Sequence, residues 1–150
     1  MTARIFHLAI SSGGAPKHAI REGEVGEVGI AGDRHKHTKI HGGPMRALCL
    51  YSLELIQKLQ AEGHPTYPGT LGENVTISGL PWNTLASGTR LALGEVEVEL
   101  TTEADPCKNI GASFVGNKFK RLETPGEMRW YCKVLVPGTF RIADPVRVLD

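Results

Sequence analysis

Long hydrophobic runs, an excess of charge of either sign, and large numbers of aromatic residues and cysteines are all missing from this chain of 150 residues. No apolar segment approaches the roughly 20 residues that a membrane-spanning helix needs. The start of the chain, MTARIFHLAI, has neither the long apolar stretch nor the cleavage site of a signal peptide. We therefore expect a cytoplasmic protein that does not bind membranes.

The charges of the chain nearly cancel. The 17 Lys and Arg residues stand against 16 Asp and Glu residues, so the formal net charge is +1. Such a chain has no overall positive field to attract nucleic acid, and we expect no nucleic-acid partner. The length suits one domain of ordinary size, so residues 1–150 are predicted to form a single domain with one site.

Cysteine is scarce, and its three positions are unpaired in the sequence. Cys49, Cys107 and Cys132 are an odd number and include no CxxC motif. This pattern fits neither a disulfide framework nor a cysteine-rich zinc site, and it leaves at least one thiol free.

Glycine and proline, in contrast, are plentiful. The 18 Gly and 9 Pro residues break the chain into short β-type segments, a rhythm typical of an all-β sandwich or barrel. Alternating apolar residues predict half-buried strands near residues 96–100 and 130–136, and other strands are predicted at residues 4–10, 47–51, 73–77 and 146–148. The fold class is therefore predicted to be mainly β.

Helix is predicted to be the minority element. Ser52 can cap a helix through about Glu62, because Leu55, Ile56 and Leu59 fall on one face and Gly63 ends it. A short second helix is predicted within residues 109–120, although two glycines weaken it.

A basic, glycine-rich loop at residues 32–46 is the first candidate site. Its sequence, GDRHKHTKIHGGPMR, carries four Lys or Arg residues and three histidines against one acid. Glycines let main-chain N–H groups approach a ligand closely, and the cations favour an anionic one. A solvated surface loop is the alternative, but two glycines before Pro44 specify a turn that such a loop would not require.

The same loop also admits a zinc hypothesis. His35, His37 and His41 are spaced two and four residues apart, and neutral imidazoles are common zinc ligands. Lys36 and Lys39 would repel a cation, and Asp33 is the one evident carboxylate that could support the ligands, so this signal is weak.

Cys107 is the second candidate site. Cys49 lies in an apolar run and Cys132 on an apolar strand face, so both are predicted to be inert core residues. Cys107 instead follows a proline in a polar loop beside Lys108, a setting that favours the nucleophilic and metal-ligating thiolate. A catalytic Cys/His pair with a loop histidine is an alternative without a supporting local signature.

Several short motifs, in a fixed order, resemble the MOSC domain family, named after the C-terminal domain of molybdenum cofactor sulfurases. They are GDR at 32–34, HGGP at 41–44, PG at 68–69, LGEN at 71–74, SGL at 78–80, Gly94, PC at 106–107 and VLVPG at 134–138. The resemblance runs from about residue 20 to the end. It implies a MOSC-like β-barrel with one or two short helices, of the stand-alone bacterial type, associated with the molybdenum cofactor (molybdopterin) and with sulfur transfer.

The resemblance also implies roles for single residues. The Cys107 thiolate would ligate molybdenum, as the matching cysteine does in reductase members, and a soft sulfur donor suits that metal. Arg34, His41 and Arg46 would contact the pterin phosphate or a substrate anion. Glu73 and Asn74 would shape the pocket, with a turn-stabilising pair as the alternative. The full set implied to border the cofactor is Asp33, Arg34, His35, His41, Gly42, Gly43, Arg46, Glu73, Asn74 and Lys108.

Two function classes follow. The first is an oxidoreductase that reduces a small N-hydroxylated substrate, such as a hydroxylaminopurine or an amidoxime, at a Cys107-ligated molybdenum. The second is a sulfur carrier, in which Cys107 receives a persulfide from a cysteine desulfurase. We prefer the first, because a carrier has less need of the anion-binding loop. An electron-transfer protein would have to supply electrons, since the chain has no GxGxxG motif.

Overall fold

The computed structural model describes residues 2–11, 15–34 and 43–150, which form two sheets. An eight-stranded sheet has the order β11-β7-β8-β9-β5-β6-β1-β2, and a three-stranded sheet has the order β10-β3-β4. The strands are β1 (Arg4–Ile10), β2 (His18–Ile20), β3 (Glu22–Gly26), β4 (Gly29–Ile30), β5 (Leu48–Ser52), β6 (Val75–Ser78), β7 (Arg90–Leu93), β8 (Val96–Ala104), β9 (Arg129–Val136), β10 (Gly138–Arg141) and β11 (Val146–Leu149).

The core lies on the inner face of the large sheet. Val96, Val98 and Leu100 are fully buried, as their period of two predicts, and the glutamates between them are only partly covered. Strand β5 is buried along its whole length. It pairs antiparallel with β9 and parallel with β6, so both of its edges are also covered.

The predicted helix is confirmed as α1 (Leu53–Ala61). It begins after Ser52, whose hydroxyl oxygen accepts a hydrogen bond of 3.2 Å from the Leu55 N–H. Ile56 and Leu59 bury the inner face of the helix, and Gly63 follows its end in a left-handed conformation.

The short second helix predicted within residues 109–120 is confirmed only in part, because this region is helical but not α-helical. Three short 3-10 helices occupy this region instead, at Lys108–Ser113, Val115–Asn117 and Phe119–Glu123. Gly116, inside the second of these helices, has a φ of +63°, which is not a helical value and keeps the region from forming one continuous helix.

A closed barrel is not confirmed, although the mainly β fold is. In the described part of the chain no ladder joins the edge strands β2 and β11, and β1 meets the segment before β11 only at one isolated bridge, Arg4 with Pro145. The described helices include none that is long and apolar enough to cross a membrane.

Candidate functional site

One cleft collects side chains from both candidate regions of the sequence, and its described part has a volume of about 60 Å³. Its lining residues are Ala15, Lys17, Arg34, Arg46, Cys49, Leu71, Gly72, Asn74, Cys107, Asn109, Ile110, Arg129 and Tyr131.

The cleft brings together four of the residues singled out from the sequence: Arg34, Arg46, Asn74 and Cys107. Four others are described but are not part of the lining: Asp33, Gly43, Glu73 and Lys108. The remaining three, His35, His41 and Gly42, and the zinc hypothesis on His35, His37 and His41, lie outside the described residues.

Cys107 reaches the cleft because β8 ends at Ala104 and the chain then turns through a proline. The residue stands directly before the 3-10 helix Lys108–Ser113, where its carbonyl accepts a hydrogen bond of 3.2 Å from the Ile110 N–H. Its thiol is half-buried, whereas Cys49 and Cys132 are buried. The neighbouring Lys108 is exposed. Cys107 is therefore the most accessible of the three thiols.

Two arginines of the basic loop stand on the cleft wall. Arg34 is exposed, and its main-chain N–H is held by the Ser11 carbonyl at 2.7 Å. Arg46 ends the short 3-10 helix Pro44–Arg46, and its guanidinium carbon lies 5.0 Å from the centre of the Tyr131 ring. This cation–π contact keeps the positive charge of Arg46 against the cleft.

Asn74 is a buried cross-link between segments that form the cleft. Its side-chain oxygen accepts from the Cys49 N–H at 2.9 Å, and its amide nitrogen donates to the Ala9 carbonyl at 3.2 Å and to the Asp33 carboxylate at 2.9 Å. The Asp33 carboxylate also accepts from Lys17 Nζ at 2.7 Å and from the Ser11 N–H at 2.9 Å. Both side chains of this ion pair are almost fully buried, so Asp33 fixes the loop from within.

Glu73 stabilises the turn before β6. The side chain is fully buried, and its two oxygens accept from the Leu71 N–H and the Thr76 hydroxyl, each at 3.2 Å. Burial raises the pKa of this carboxyl above its usual range. The contacts favour the turn-stabilising interpretation of Glu73. Strand β6 begins at Val75 and not at residue 73 as predicted, because Glu73 closes a turn onto the Leu71 N–H.

Arg129 and Tyr131 are cleft residues that the sequence patterns do not identify. Both lie on the face of β9 opposite the one that the sequence predicts to be apolar and buried. Only 6% of Arg129 and 8% of Tyr131 is exposed, however, because the cleft walls cover this second face. Burial raises the pKa of Tyr131 to about 12. The signal available in the sequence is an arginine at the start of the otherwise apolar run RWYC.

Cys49 also lines the cleft, so the prediction that it is only a core residue is incomplete. Strand β5 passes beneath the cleft with Cys49 paired opposite Tyr131. Burial raises the pKa of the Cys49 thiol to about 11, which keeps it protonated near neutral pH and agrees with the expectation that it is unreactive. Cys132 is fully buried, and burial raises its pKa as well.

The charge of the cleft is of one sign. Its described lining includes Lys17, Arg34, Arg46 and Arg129 but no carboxylate, and of these cations Lys17 is neutralised by Asp33. Such a lining favours an anionic ligand. Within the described ranges no three His, Cys, Asp or Glu side chains are grouped as a metal ion would need.

Comparison with known proteins identifies the family. The model of the MOSC domain matches residues 37–147. The chain belongs to the MOSC domain family. Its relatives include protein YiiM of Escherichia coli, 25% identical over 129 residues (83% of this chain and 58% of YiiM). They also include the uncharacterized protein YflK of Bacillus subtilis, 28% identical over 109 residues (71% of this chain and 49% of YflK). This MOSC-domain chain therefore spans about half the length of these relatives.

Solved structures show the same fold. YiiM from Geobacillus stearothermophilus superposes with a TM-score of 0.78 at 20% identity, covering 99% of this chain and 75% of the other. The YUAD protein from Bacillus subtilis superposes with a TM-score of 0.78 at 22% identity, covering 99% of this chain and 96% of the other.

Proposed function

We propose that this MOSC-domain protein binds the molybdenum cofactor in the cleft and reduces a small N-hydroxylated substrate of the hydroxylaminopurine or amidoxime type. One observation carries the proposal. The accessible thiol of Cys107 shares a cleft with three arginines, and the described lining of this cleft contains no carboxylate. A cofactor that bears a phosphate and needs a soft sulfur donor from the protein requires this combination.

The residues present fit that cofactor. The thiol is half-buried, so it is accessible to a metal and partly shielded from water. The cations beside it offset the charge of a phosphate, and Asn74 with the buried Lys17–Asp33 pair fixes the segments that carry them.

The proposal gives individual residues of this chain different roles. Cys107 holds the metal, and Arg34 and Arg46 bind the phosphate or a substrate anion. His35, His41, Gly42, Gly43 and Lys108 remain proposed contacts on the evidence of the sequence. When bound, the cofactor supplies two-electron redox chemistry, while the chain orients the substrate and limits access of water. A small-molecule substrate and an electron-transfer protein are the partners that this activity needs.

A sulfur carrier is the second candidate. The accessibility of Cys107 favours it, because a thiol that must meet a partner's persulfide cannot be fully buried, as Cys49 and Cys132 are. In this case a cysteine desulfurase is the partner, and Cys107 carries the transferred sulfur to a metal cofactor.

Metal and pterin analysis tests the proposal. The chain is produced in a host that makes the molybdenum cofactor, and molybdenum and pterin are quantified in the purified protein. We expect near-stoichiometric molybdenum in the wild-type protein, loss in Cys107→Ala, and about a tenfold decrease in the double variant Arg34→Ala and Arg46→Ala, which loses charge-assisted hydrogen bonds to the phosphate. Cys132→Ala, a buried thiol away from the cleft, is the matched control and retains the metal.

The same samples separate the two candidates. Molybdenum in the wild-type protein together with reduction of an amidoxime, both lost in Cys107→Ala, supports the reductase. Absence of molybdenum, with a persulfide on Cys107 after incubation with a cysteine desulfurase and cysteine, supports the carrier. Unchanged molybdenum in Cys107→Ala contradicts the reductase, and absence of a persulfide on Cys107 contradicts the carrier.

A further inference from the structure

Arg129 is a buried cation at the inner part of the cleft. Only 6% of the residue is exposed, and it lines the cleft. Its guanidinium donates to three main-chain carbonyls: Leu71 on one wall, and Ala104 at 3.4 Å and Asp105 at 3.2 Å on the other. A guanidinium has five donors, and among the described residues its Nε has no acceptor.

The positive charge of Arg129 is only partly balanced. Its three acceptors are neutral carbonyls, and no ion pair between Arg129 and a carboxylate occurs within the described ranges. Glu73 is the carboxyl nearby, but burial raises its pKa and so disfavours the charged form that would balance the arginine. A buried charge without a counter-charge is costly in a folded protein, and a bound anion would offset that cost.

The surroundings of Arg129 leave room for such an anion. Gly72 lines the cleft, and a Cβ at this position would lie 3.7 Å from Arg129 Nη1 and 3.9 Å from the Ala15 Cβ. Because glycine carries no side chain, none covers the Arg129 guanidinium from this position. The described part of the cleft has an open volume of about 60 Å³, which admits a group of several atoms, since about 10–15 Å³ of such space is enough for one water.

Arg129 also faces the segment that carries the reactive thiol. The carbonyls of Ala104 and Asp105 that it binds directly precede Pro106 and Cys107, and Cys107 lines the same cleft. We propose that the inner part of the cleft is a binding position for a small oxyanion, a carboxylate or a sulfate-like group, held by the Arg129 guanidinium beside Cys107. The bound oxyanion would be the anionic group of a substrate or product at the proposed site. This inference rests on the proposed function only in taking Cys107 as the reactive thiol.

Alkylation of Cys107 by a charged and a neutral reagent tests this position. The full chain is produced in a host that cannot make the molybdenum cofactor, so the thiol is free whatever the outcome of the metal analysis. Rates with iodoacetate, a carboxylate, and iodoacetamide, its neutral analogue, are measured at constant ionic strength by peptide mapping. The ratio of the two rates is then compared with that of N-acetylcysteine.

We expect the iodoacetate to iodoacetamide ratio at Cys107 to exceed that of N-acetylcysteine by about tenfold, the effect of one charge-assisted hydrogen bond. Arg129→Gln should return the ratio to the value of the free thiol, and Arg129→Lys should retain part of the increase. Lys120→Ala, which removes an exposed cation that is not part of the described cleft lining, should leave the ratio unchanged. Sulfate should slow the iodoacetate reaction more than chloride does at the same ionic strength.

A wild-type ratio equal to that of N-acetylcysteine would overturn the proposal even if the buried Arg129→Gln variant does not fold. Loss of the effect in Lys120→Ala, or its persistence in a folded Arg129→Gln variant, would overturn the proposal as well. None of these results bears on molybdenum content, so the oxyanion position and the cofactor proposal can fail independently.

Discussion

At the scale of single residues, Asn74 joins three of the segments that form the cleft. Its side-chain amide forms hydrogen bonds with the Cys49 N–H, the Ala9 carbonyl and the Asp33 carboxylate. Its main chain continues the same pattern, with the Asn74 N–H donating to the Cys49 carbonyl at 2.8 Å and the Ala9 N–H donating to the Asn74 carbonyl at 2.9 Å. The asparagine of the GEN motif therefore connects β1, β5 and the start of the basic loop.

Replacing Asn74 with Ala should lower the free energy of unfolding by about 3 kcal/mol, because a buried N–H and a buried carboxylate oxygen lose their partner. Urea denaturation measures the change. Asn83→Ala is the control: the residue is exposed in the short 3-10 helix Trp82–Thr84, and its loss should cost less than about 0.5 kcal/mol. Equal effects of the two variants would show that the Asn74 network contributes nothing specific.

At the scale of elements, charged side chains join α1 to the 3-10 helix Phe119–Glu123. Arg121 binds both oxygens of Glu62, each at 2.8 Å, just after the end of α1, and it also binds Glu127 at 2.8 Å. Glu127 in turn binds Lys58 of α1 at 2.7 Å. Hydrogen bonds from Arg121 lower the pKa of Glu62, and those from Lys58 and Arg121 lower the pKa of Glu127.

This network predicts a pH-dependent contribution to stability. Because both carboxyl pKa values are lower in the folded protein, the stabilisation is present above the usual glutamate pKa of about 4 and is lost as the pH falls through the lowered values. Arg121→Ala should cost about 1 kcal/mol at neutral pH, a small value because the pairs are solvated, and less in acid. Unfolding followed across pH measures this difference. Lys120→Ala, an exposed neighbour, is the control, and a cost for Arg121→Ala that did not change with pH would contradict the electrostatic explanation.

At the scale of the whole molecule, the small sheet packs against the start of β5 through a close main-chain approach. Gly29 in β4 has a φ of +120°, and a Cβ there would overlap the Ala47 carbonyl oxygen. Gly26 is its partner across the β3–β4 ladder, and a Cβ at Gly26 would meet nothing within 4 Å. The two glycines thus form a matched pair in one hairpin.

Gly29→Ala should lower the free energy of unfolding by about 3 kcal/mol, because the methyl group both strains the backbone and pushes the hairpin away from Ala47. Gly26→Ala should change it by less than about 0.5 kcal/mol. Thermal and urea unfolding of the two variants measure these values. A cost at Gly26 as large as that at Gly29 would show that the contact with Ala47 is not what places the small sheet.

Local pattern alone determined the elements with one buried face. The period of two in β8 and the cap and apolar stripe of α1 are confirmed because each reflects how neighbouring residues divide between core and solvent. The ordered motifs also indicated the family, because each motif is short and contiguous and can be read from a single sequence. The turn in which Cys107 stands could likewise be predicted, since Pro106 and the end of β8 define it locally.

Only the tertiary structure decided which residues line the cleft. Arg129 bonds to carbonyls near residues 71 and 105, and Lys17 neutralises Asp33, so each role depends on segments far apart in the chain. A local sequence pattern predicts which side of a strand a side chain faces, but it does not predict which other segments cover that side. The second face of β9 is therefore predicted to be the less buried one, whereas folding covers it with the cleft walls. Strand alternation leaves barrel closure undecided in the same way, because closure depends on the pairing of the two edge strands.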